Sequence, residues 1–291
     1  METMKPLDEI FGKVKKIATL PVVAAKLMST VENPRHSGRD VVNLIKNDAA
    51  LTARILRTAN SSAFSRGLKI STIDRAIMHL GENMIVGIAI GTCASSIMNR
   101  PLKGYASEAG ELWDHSLRTA IASKLLCSFV RSDIRVEHAF TAGLLHDIGK
   151  LIMSELLEGA ISKIISYTVS RPETDYLDAE RKMIGADHTQ VGSKLAERWL
   201  LPPPIPDTIC YHHRPSEYKG PHKELVFIVH LGDIIAMMGG SGTGADSLSY
   251  KMDPGYENFI SIQKSEFASL LLTIEDDFES TKQSLFNSSG V

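Results

Sequence analysis

The sequence predicts an all-α fold, a multi-helix bundle built in two parts. Three observations carry this. Apolar residues recur at offsets of three and four along most of the chain, no run alternates with period two, and Gly, Pro and Asn separate the apolar stretches at helix-length intervals.

The elements follow in order. Leu7, Ile10, Phe11, Val14 and Ile17 mark one face of a helix that ends before Leu20-Pro21. A second helix starts near Val22 and is closed by Asn33-Pro34. Val41, Leu44 and Ile45 continue the pattern from Asp40, and Leu51, Ile55, Leu56 and Ala59 define a helix over 49–59. Asn60-Ser61-Ser62 and Gly67 mark a loop, and Ser71 with Asp74 reads as a capping box for a short helix ended by Gly81. Met84 to Ile90 has the β-branched content of a buried strand, but no alternating run stands nearby to pair with it, so a buried helix is expected. The pattern relaxes from Arg100-Pro101 to Gly110, which places a boundary there. Helices are then expected at roughly 108–130, 136–157, 159–170, 176–184, 188–199, 205–213 and 223–238. Pro202, Pro203, Pro204 and Pro206 form a rigid lead-in to one of them, Gly239 to Gly244 a flexible loop, and residues 257–286 terminal helical material. The expected parts are 1–104, 105–240 and 241–291, the last a loop with a C-terminal helical extension.

Composition narrows the function classes. The chain of 291 residues has 32 Lys+Arg against 34 Asp+Glu, a net charge of -2, which argues against nucleic-acid binding through a strongly basic surface. No basic stretch followed by an apolar run opens the chain, and apolar runs stay far below the ~20 residues that span a bilayer. Cys93, Cys127 and Cys210 have no CxxC spacing and read as reduced thiols, so a cytoplasmic protein without membrane association is expected. The unusual count is ten His against nine Phe, and it directs attention to metal chemistry.

The strongest local signal is Gly143-Leu144-Leu145-His146-Asp147-Ile148-Gly149-Lys150. Adjacent side chains on a helix diverge by roughly 100°, so His146 and Asp147 serve one cation only if it sits in the crevice between them. The carboxylate is then free to bridge to a second ion. Gly149 lets a neighbouring helix or ligand approach, and Lys150 sets a cation near whatever anion binds. His115 stands on a face of small and apolar residues with Thr119, Ala122 and Leu126. Asp233 shares a face with Val226, Val229 and Ala236, and a carboxylate there needs a partner, either a metal or a buried ion pair. His188 follows Asp187, a plausible N-cap with Gln190 three residues on. His212-His213 ends a further helix before Pro215, as ligands or as a cap meeting the negative end of the helix dipole. His36, His79, His138, His222 and His230 read as surface or structural. Five imidazoles and two carboxylates without a thiolate suit iron, manganese or zinc better than magnesium or calcium. Seven donors exceed what one ion with open positions uses, so two ions with Asp147 between them are expected. Such a pair, ~3.5–4 Å apart, activates a water and stabilises both oxygens of a phosphoester displacement.

The ordered set resembles a known family. Over residues 7–240 the chain is similar to the HD-related output domain (HDOD) proteins of bacterial signalling. The marks are Leu20-Pro21, Asp48 with Leu51, the run Arg57-Thr58-Ala59-Asn60-Ser61-Ser62-Ala63-Phe64, and Ile73 to Ala76 leading into Leu80-Gly81. The second half resembles the HD superfamily of metal-dependent phosphohydrolases through His115, His146-Asp147 and Asp233. The resemblance implies an N-terminal helical subdomain packed on an HD-type helical domain. HD-GYP phosphodiesterases of cyclic di-GMP add ligands that match His188, His212 and His213, and a lysine that matches Lys150; Glu111 sits where some such enzymes place one more. Arg214-Pro215 replaces their Glu, and no Gly-Tyr-Pro segment follows.

Two readings follow. In the favoured one the chain is a signalling module that binds metal without necessarily turning over a nucleotide, its N-terminal helices available to a protein partner. In the other it is a phosphohydrolase of a nucleotide or cyclic dinucleotide. There His115, His146, Asp147 and Asp233 hold one ion, and Asp147, His188, His212 and His213 the other, with Asp147 and Lys150 as catalytic residues. A vestigial structural site is a third, weaker reading.

Overall fold

The computed structural model describes residues 7–13, 22–65, 67–171, 174–247 and 249–286. Among them the fold is all-α, with no strand and only two isolated bridges, Leu102 to Ser107 and Val130 to Ile260. Val14, Ile17, Leu20 and Pro21 lie outside the described residues.

The first half is a set of helices wrapped on one apolar rod. α1 (Leu7–Lys13), α2 (Val22–Glu32), α3 (Gly38–Lys46), α4 (Ala49–Ala59), the single turn α5 (Ser62–Ser65) and α6 (Ile73–Leu80) lead into α7 (Glu82–Met98). The stretch Met84 to Ile90 is buried on every side within α7, which explains why its composition imitates a strand: a helix packed all round needs no polar face. α6 is capped by Thr72, whose side chain accepts from the Arg75 amide at 3.2 Å, one residue beyond the expected Ser71. Gly81, at φ +82°, ends α6 as expected and also opens α7.

The second half holds the candidate site. It contains α8 (Glu111–Leu126), α9 (Val136–Leu145), α10 (Lys150–Leu157), α11 (Ile161–Val169), α12 (Tyr176–Ile184), α13 (His188–Arg198), α14 (Pro204–Tyr211) and α15 (Lys223–Met238). α8 packs between α9 and α15, and α7 packs on both α4 and α9, so one hydrophobic core runs through both halves. The helix expected over 136–157 is two helices. His146 to Gly149 form a tight corner between α9 and α10, held by i→i+3 bonds such as Lys150 N–H to Asp147 O at 3.0 Å.

The chain then crosses the site as an irregular segment and closes with α16 (Lys264–Phe286), which lies against α4, α5 and α8. α16 begins later than expected because Pro254–Asn258 form a 3₁₀ turn. No single helix among the described residues is long and apolar enough to cross a membrane. Cys93, Cys127 and Cys210 are free thiols.

Candidate metal centre

Two glycines let the helices that bear the donors approach each other. A Cβ on Gly143 would lie 2.9 Å from the Ala120 Cα, so α9 and α8 meet backbone to backbone and bring His146 beside His115. A Cβ on Gly149 would lie 1.8 Å from the His188 carbonyl oxygen, so the corner and the start of α13 touch in the same way and bring His188 beside Asp147. The start of α13 is set by a capping box: Asp187 accepts from the Gln190 amide at 3.0 Å and Gln190 accepts from the Asp187 amide at 3.3 Å.

All seven expected donors converge. His115, His146 and Asp147 form one group, Asp147, His188, His212 and His213 a second, and His146, His212 and Asp233 a third. Asp233 Oδ1 lies 3.0 Å from His115 Nε2 and 3.7 Å from His146 Nε2. Asp147 divides its oxygens: Oδ2 faces His146 Nε2 at 3.4 Å and His115 Nε2 at 3.8 Å, whereas Oδ1 faces His188 Nε2 at 3.3 Å and His212 Nε2 at 3.7 Å. Two ligands ~2.1 Å from one ion stand ~3.0–3.4 Å apart, and the shortest histidine contact of Asp233 and of each Asp147 oxygen falls in that range.

The imidazoles are aimed from behind. The Nδ1 of His115 bonds the Ser241 carbonyl at 2.7 Å, that of His146 the Gly143 carbonyl at 2.7 Å, and that of His212 the Ile209 carbonyl at 2.8 Å. His188 Nδ1 bonds Glu180 Oε2 at 2.9 Å, and Glu180 also accepts from the His188 amide at 2.7 Å and from the Tyr105 hydroxyl. A carbonyl can only accept, so Nδ1 carries a proton in the first three rings and Nε2 is the nitrogen turned inward, the one a metal would take. His230 supports the set: it is buried, its Nδ1 bonds the His212 carbonyl at 2.7 Å and its Nε2 accepts from the Asp253 amide at 2.8 Å.

Asp147 Oδ1, Asp233 Oδ2, the Nε2 atoms of His188 and His212 and both ring nitrogens of His213 are buried without a hydrogen-bond partner. Orphaned polar atoms of this number in one place are costly unless a cation satisfies them. The donors fit a transition metal on this ground and on their chemistry, nitrogen and oxygen without sulfur.

Without metal, the charges of the donors are coupled to one another. Burial pushes the Asp147 carboxyl up, but Lys150 and His146 outweigh it and hold it well below the usual carboxylate range. Asp233 is held low against burial by His115 and His146. Burial likewise opposes protonation of His146 and His188, yet Asp147 and Asp233 raise the first to about 9, and Glu180 and Asp147 raise the second to about 10. Burial, together with the neighbouring His146, lowers His212 to about 4.

Some placements differ from expectation. Glu111 is not among the converging donors; its carboxylate accepts from the Glu108 amide at 2.9 Å at the start of α8. Lys150 is buried, with three acceptors around its Nζ: Asp246 Oδ2 at 2.5 Å, Asp147 Oδ2 at 2.7 Å and Thr243 Oγ1 at 2.8 Å. Each ammonium N–H is committed, so none is left to neutralise a phosphate. Sequence reasoning missed Glu180, Asp246, Thr243 and Tyr250. Glu180 carried a usable signal, because it shares a helix face with Tyr176, Leu177 and Ile184. Ser241, Thr243 and Asp246, in and beside the stretch read as a flexible loop, are buried against the centre.

The match to family models decides the family. The HDOD domain model covers residues 17–215. This chain belongs to the HDOD family. An HDOD domain protein of unknown function from Geobacter sulfurreducens has the same fold, with 22% identity, a TM-score of 0.75, and coverage of 96% of this chain and 97% of that one. So does a protein from Shewanella amazonensis SB2B, provisionally described as a phosphohydrolase, with 22% identity, a TM-score of 0.73 and coverage of 95% and 97%. An uncharacterized Treponema pallidum protein is 26% identical over 227 residues, 75% of this chain, and the match spans 42% of that protein's length. The two solved structures show the fold, and the domain model shows the family.

Proposed function

We propose that this HDOD protein is a bacterial signal-transduction module whose helical half holds a pair of divalent transition ions in a closed centre. The observation that supports the metal reading is the inward convergence of seven buried donors with orphaned atoms. His115, His146, Asp147 and Asp233 would hold one ion, and Asp147, His188, His212 and His213 the other, since Asp147 turns one oxygen toward each set of histidines. Iron, manganese and zinc suit the donor set. Metal there supplies Lewis acidity and charge for a phosphoryl ligand.

The closed centre favours regulation over turnover. None of the seven donors is more than 8% exposed, and Lys150 is committed to Asp147, Asp246 and Thr243. In this reading the protein acts in the cytoplasm, and its N-terminal helices engage a signalling protein while the metal centre stabilises the half on which they pack through α7 and α9. Phosphoester hydrolysis of a nucleotide or cyclic dinucleotide is the second reading, favoured by the bridging placement of Asp147.

Elemental analysis after anaerobic reconstitution tests the first reading, with about two equivalents of metal per chain expected. A value below about 0.2 equivalents overturns it. A panel of cyclic dinucleotides and phosphomonoesters with Mn(II) or Fe(II), set against Asp147→Ala, separates module from enzyme. Activity above that control establishes turnover.

A further inference from the structure

The centre needs an entrance, because a metal that binds the folded protein must reach it. Five of its walls are the helices α8, α9, α13, α14 and α15, which carry the donors or lead directly into them and pack on one another. Residues 241–247 and 249–253, which follow α15 without forming a helix, are different in kind. They touch the centre at several points. The Ser241 carbonyl receives His115, Thr243 and Asp246 receive Lys150, and the Asp253 amide bonds His230. Tyr250 lies flat on His213, with ring centroids 3.6 Å apart and 14° between planes, and its hydroxyl bonds Asp246 at 2.9 Å.

Three features make this segment a cover. His213 is the most exposed of the seven donors, at 8%, and it is the ring that Tyr250 overlies. The segment has no helical ladder of its own and is held by hydrogen bonds, by the Lys150–Asp246 ion pair and by the ring of Tyr250, which stacks on His213 and meets His188 edge-on, an attachment that opens locally at less cost than an interlocked helix. It is jointed at both ends: Gly240 at φ +85° stands on one side, and Pro254 begins a 3₁₀ turn on the other.

We infer that this segment is a hinged cover over the metal centre, with Tyr250 as its latch on His213, and that its opening governs the exchange of metal with solvent. The inference rests on the metal reading for its consequence, and on the cover's own contacts for its motion. Asp246 and Thr243 bind the same ammonium that binds Asp147, so the cover is tied to a metal-ligating carboxylate through Lys150.

Two measurements test it. In protein reconstituted with Zn(II), extraction by a chromogenic chelator is expected to speed up about tenfold or more in Tyr250→Ala, which lacks the ring, and to stay within about threefold of wild type in Tyr250→Phe, which keeps it. Equal rates in Tyr250→Ala and wild type, with equal metal content, overturn the latch. Hydrogen exchange needs no metal: the amides of Ala245 and Asp253, bonded to the Tyr105 carbonyl and His230, are expected to exchange about a hundredfold faster than those in the middle of α15. Exchange as slow as α15 overturns the cover whatever the metal content. A chain that takes up no zinc but shows this fast exchange overturns the metal reading and leaves the moving segment standing.

Discussion

A Cβ on Gly149 would sit 1.8 Å from the carbonyl oxygen of His188 and 2.6 Å from the amide nitrogen of Gly192. Both obstacles are backbone, so neither can swing away. The contact brings the corner that carries His146 and Asp147 to the start of α13, which makes Gly149 a condition for the two groups of donors to meet. Gly149→Ala is therefore expected to force α10 from α13, with a stability loss of about 1–3 kcal/mol by chemical denaturation. Metal content should fall with it. Unchanged stability and full metal content would show that the two helices separate without consequence.

Metal uptake should release protons. With His146 raised to about 9 and His188 to about 10, both rings are protonated in the metal-free centre at pH 8, and a metal ion must displace those protons to reach Nε2. Affinity should rise with pH until these values are passed. For stability the sign is that of groups whose pKa is raised on folding. Their contribution is complete below the unfolded histidine value of ~6.5 and is lost as pH climbs through about 9 to 10. Asp147 and Asp233 act oppositely, since their lowered values give stability present above the free carboxylate range and lost in acid. Calorimetry of Zn(II) binding in two buffers of different ionisation enthalpy reads the proton release directly, and heats that do not depend on the buffer would contradict it.

What the sequence made legible follows from what is local. Periodicity of 3.6 needs only neighbours, and the ends of α12 and of α15 fall where apolar spacing and caps put them. The donors were legible because histidines on apolar faces are conspicuous. Glu180 was harder to read: it shares a face with Tyr176, Leu177 and Ile184, but it stands beside Arg181 and Lys182 in what reads locally as a solvated stretch, and the packing of α12 on α10 and α11 buries it. The corner at His146 was also hidden: its first and last residues, His146 and Gly149, keep helical backbone angles, and the loss of the i→i+4 ladder separates α9 from α10. Asp246 lies in a Gly- and Ser-rich stretch with no periodicity to assign it a face.

Glu180 should matter to metal affinity although it is no ligand. It holds His188 by ring and amide, and a carboxylate behind a metal-bound histidine fixes the ring and raises its basicity. Glu180→Gln keeps the shape and removes the charge. Zn(II) affinity in a competition titration is expected to fall about 10- to 100-fold with the fold retained by circular dichroism. An affinity within about twofold of wild type would assign Glu180 a packing role alone.

α16 ties the Asn60 to Phe64 run to the helix that bears His115. Ser62 donates to Asp277 at 2.6 Å, Arg118 donates from Nε to Glu275 at 2.5 Å, and Phe278 is buried beneath the Arg118 guanidinium, 3.4 Å from its ring centroid. Phe278→Ala should therefore cost about 3–5 kcal/mol. Denaturation followed by the fluorescence of Trp113, on α8, checks whether the helix loosens near the site. A loss below about 1 kcal/mol would show that α16 is dispensable to the core.

Lys150 separates two accounts of the site most sharply. As a partner of substrate phosphate it would be replaceable without harm to the fold. As the buried link between Asp147 and Asp246, its removal strands two carboxylates in the interior. Burial opposes its charge, but those two carboxylates raise its pKa above the usual lysine range, so it stays cationic through neutral pH. Lys150→Met, which keeps the stem and deletes the charge, is expected to destabilise the metal-free protein by about 3–5 kcal/mol. Bound metal should restore part of that loss, because it neutralises Asp147 and leaves only Asp246 exposed to the deficit. Comparing the denaturation midpoints of the variant with and without Zn(II) measures both effects. A variant as stable as wild type without metal would free Lys150 for a ligand.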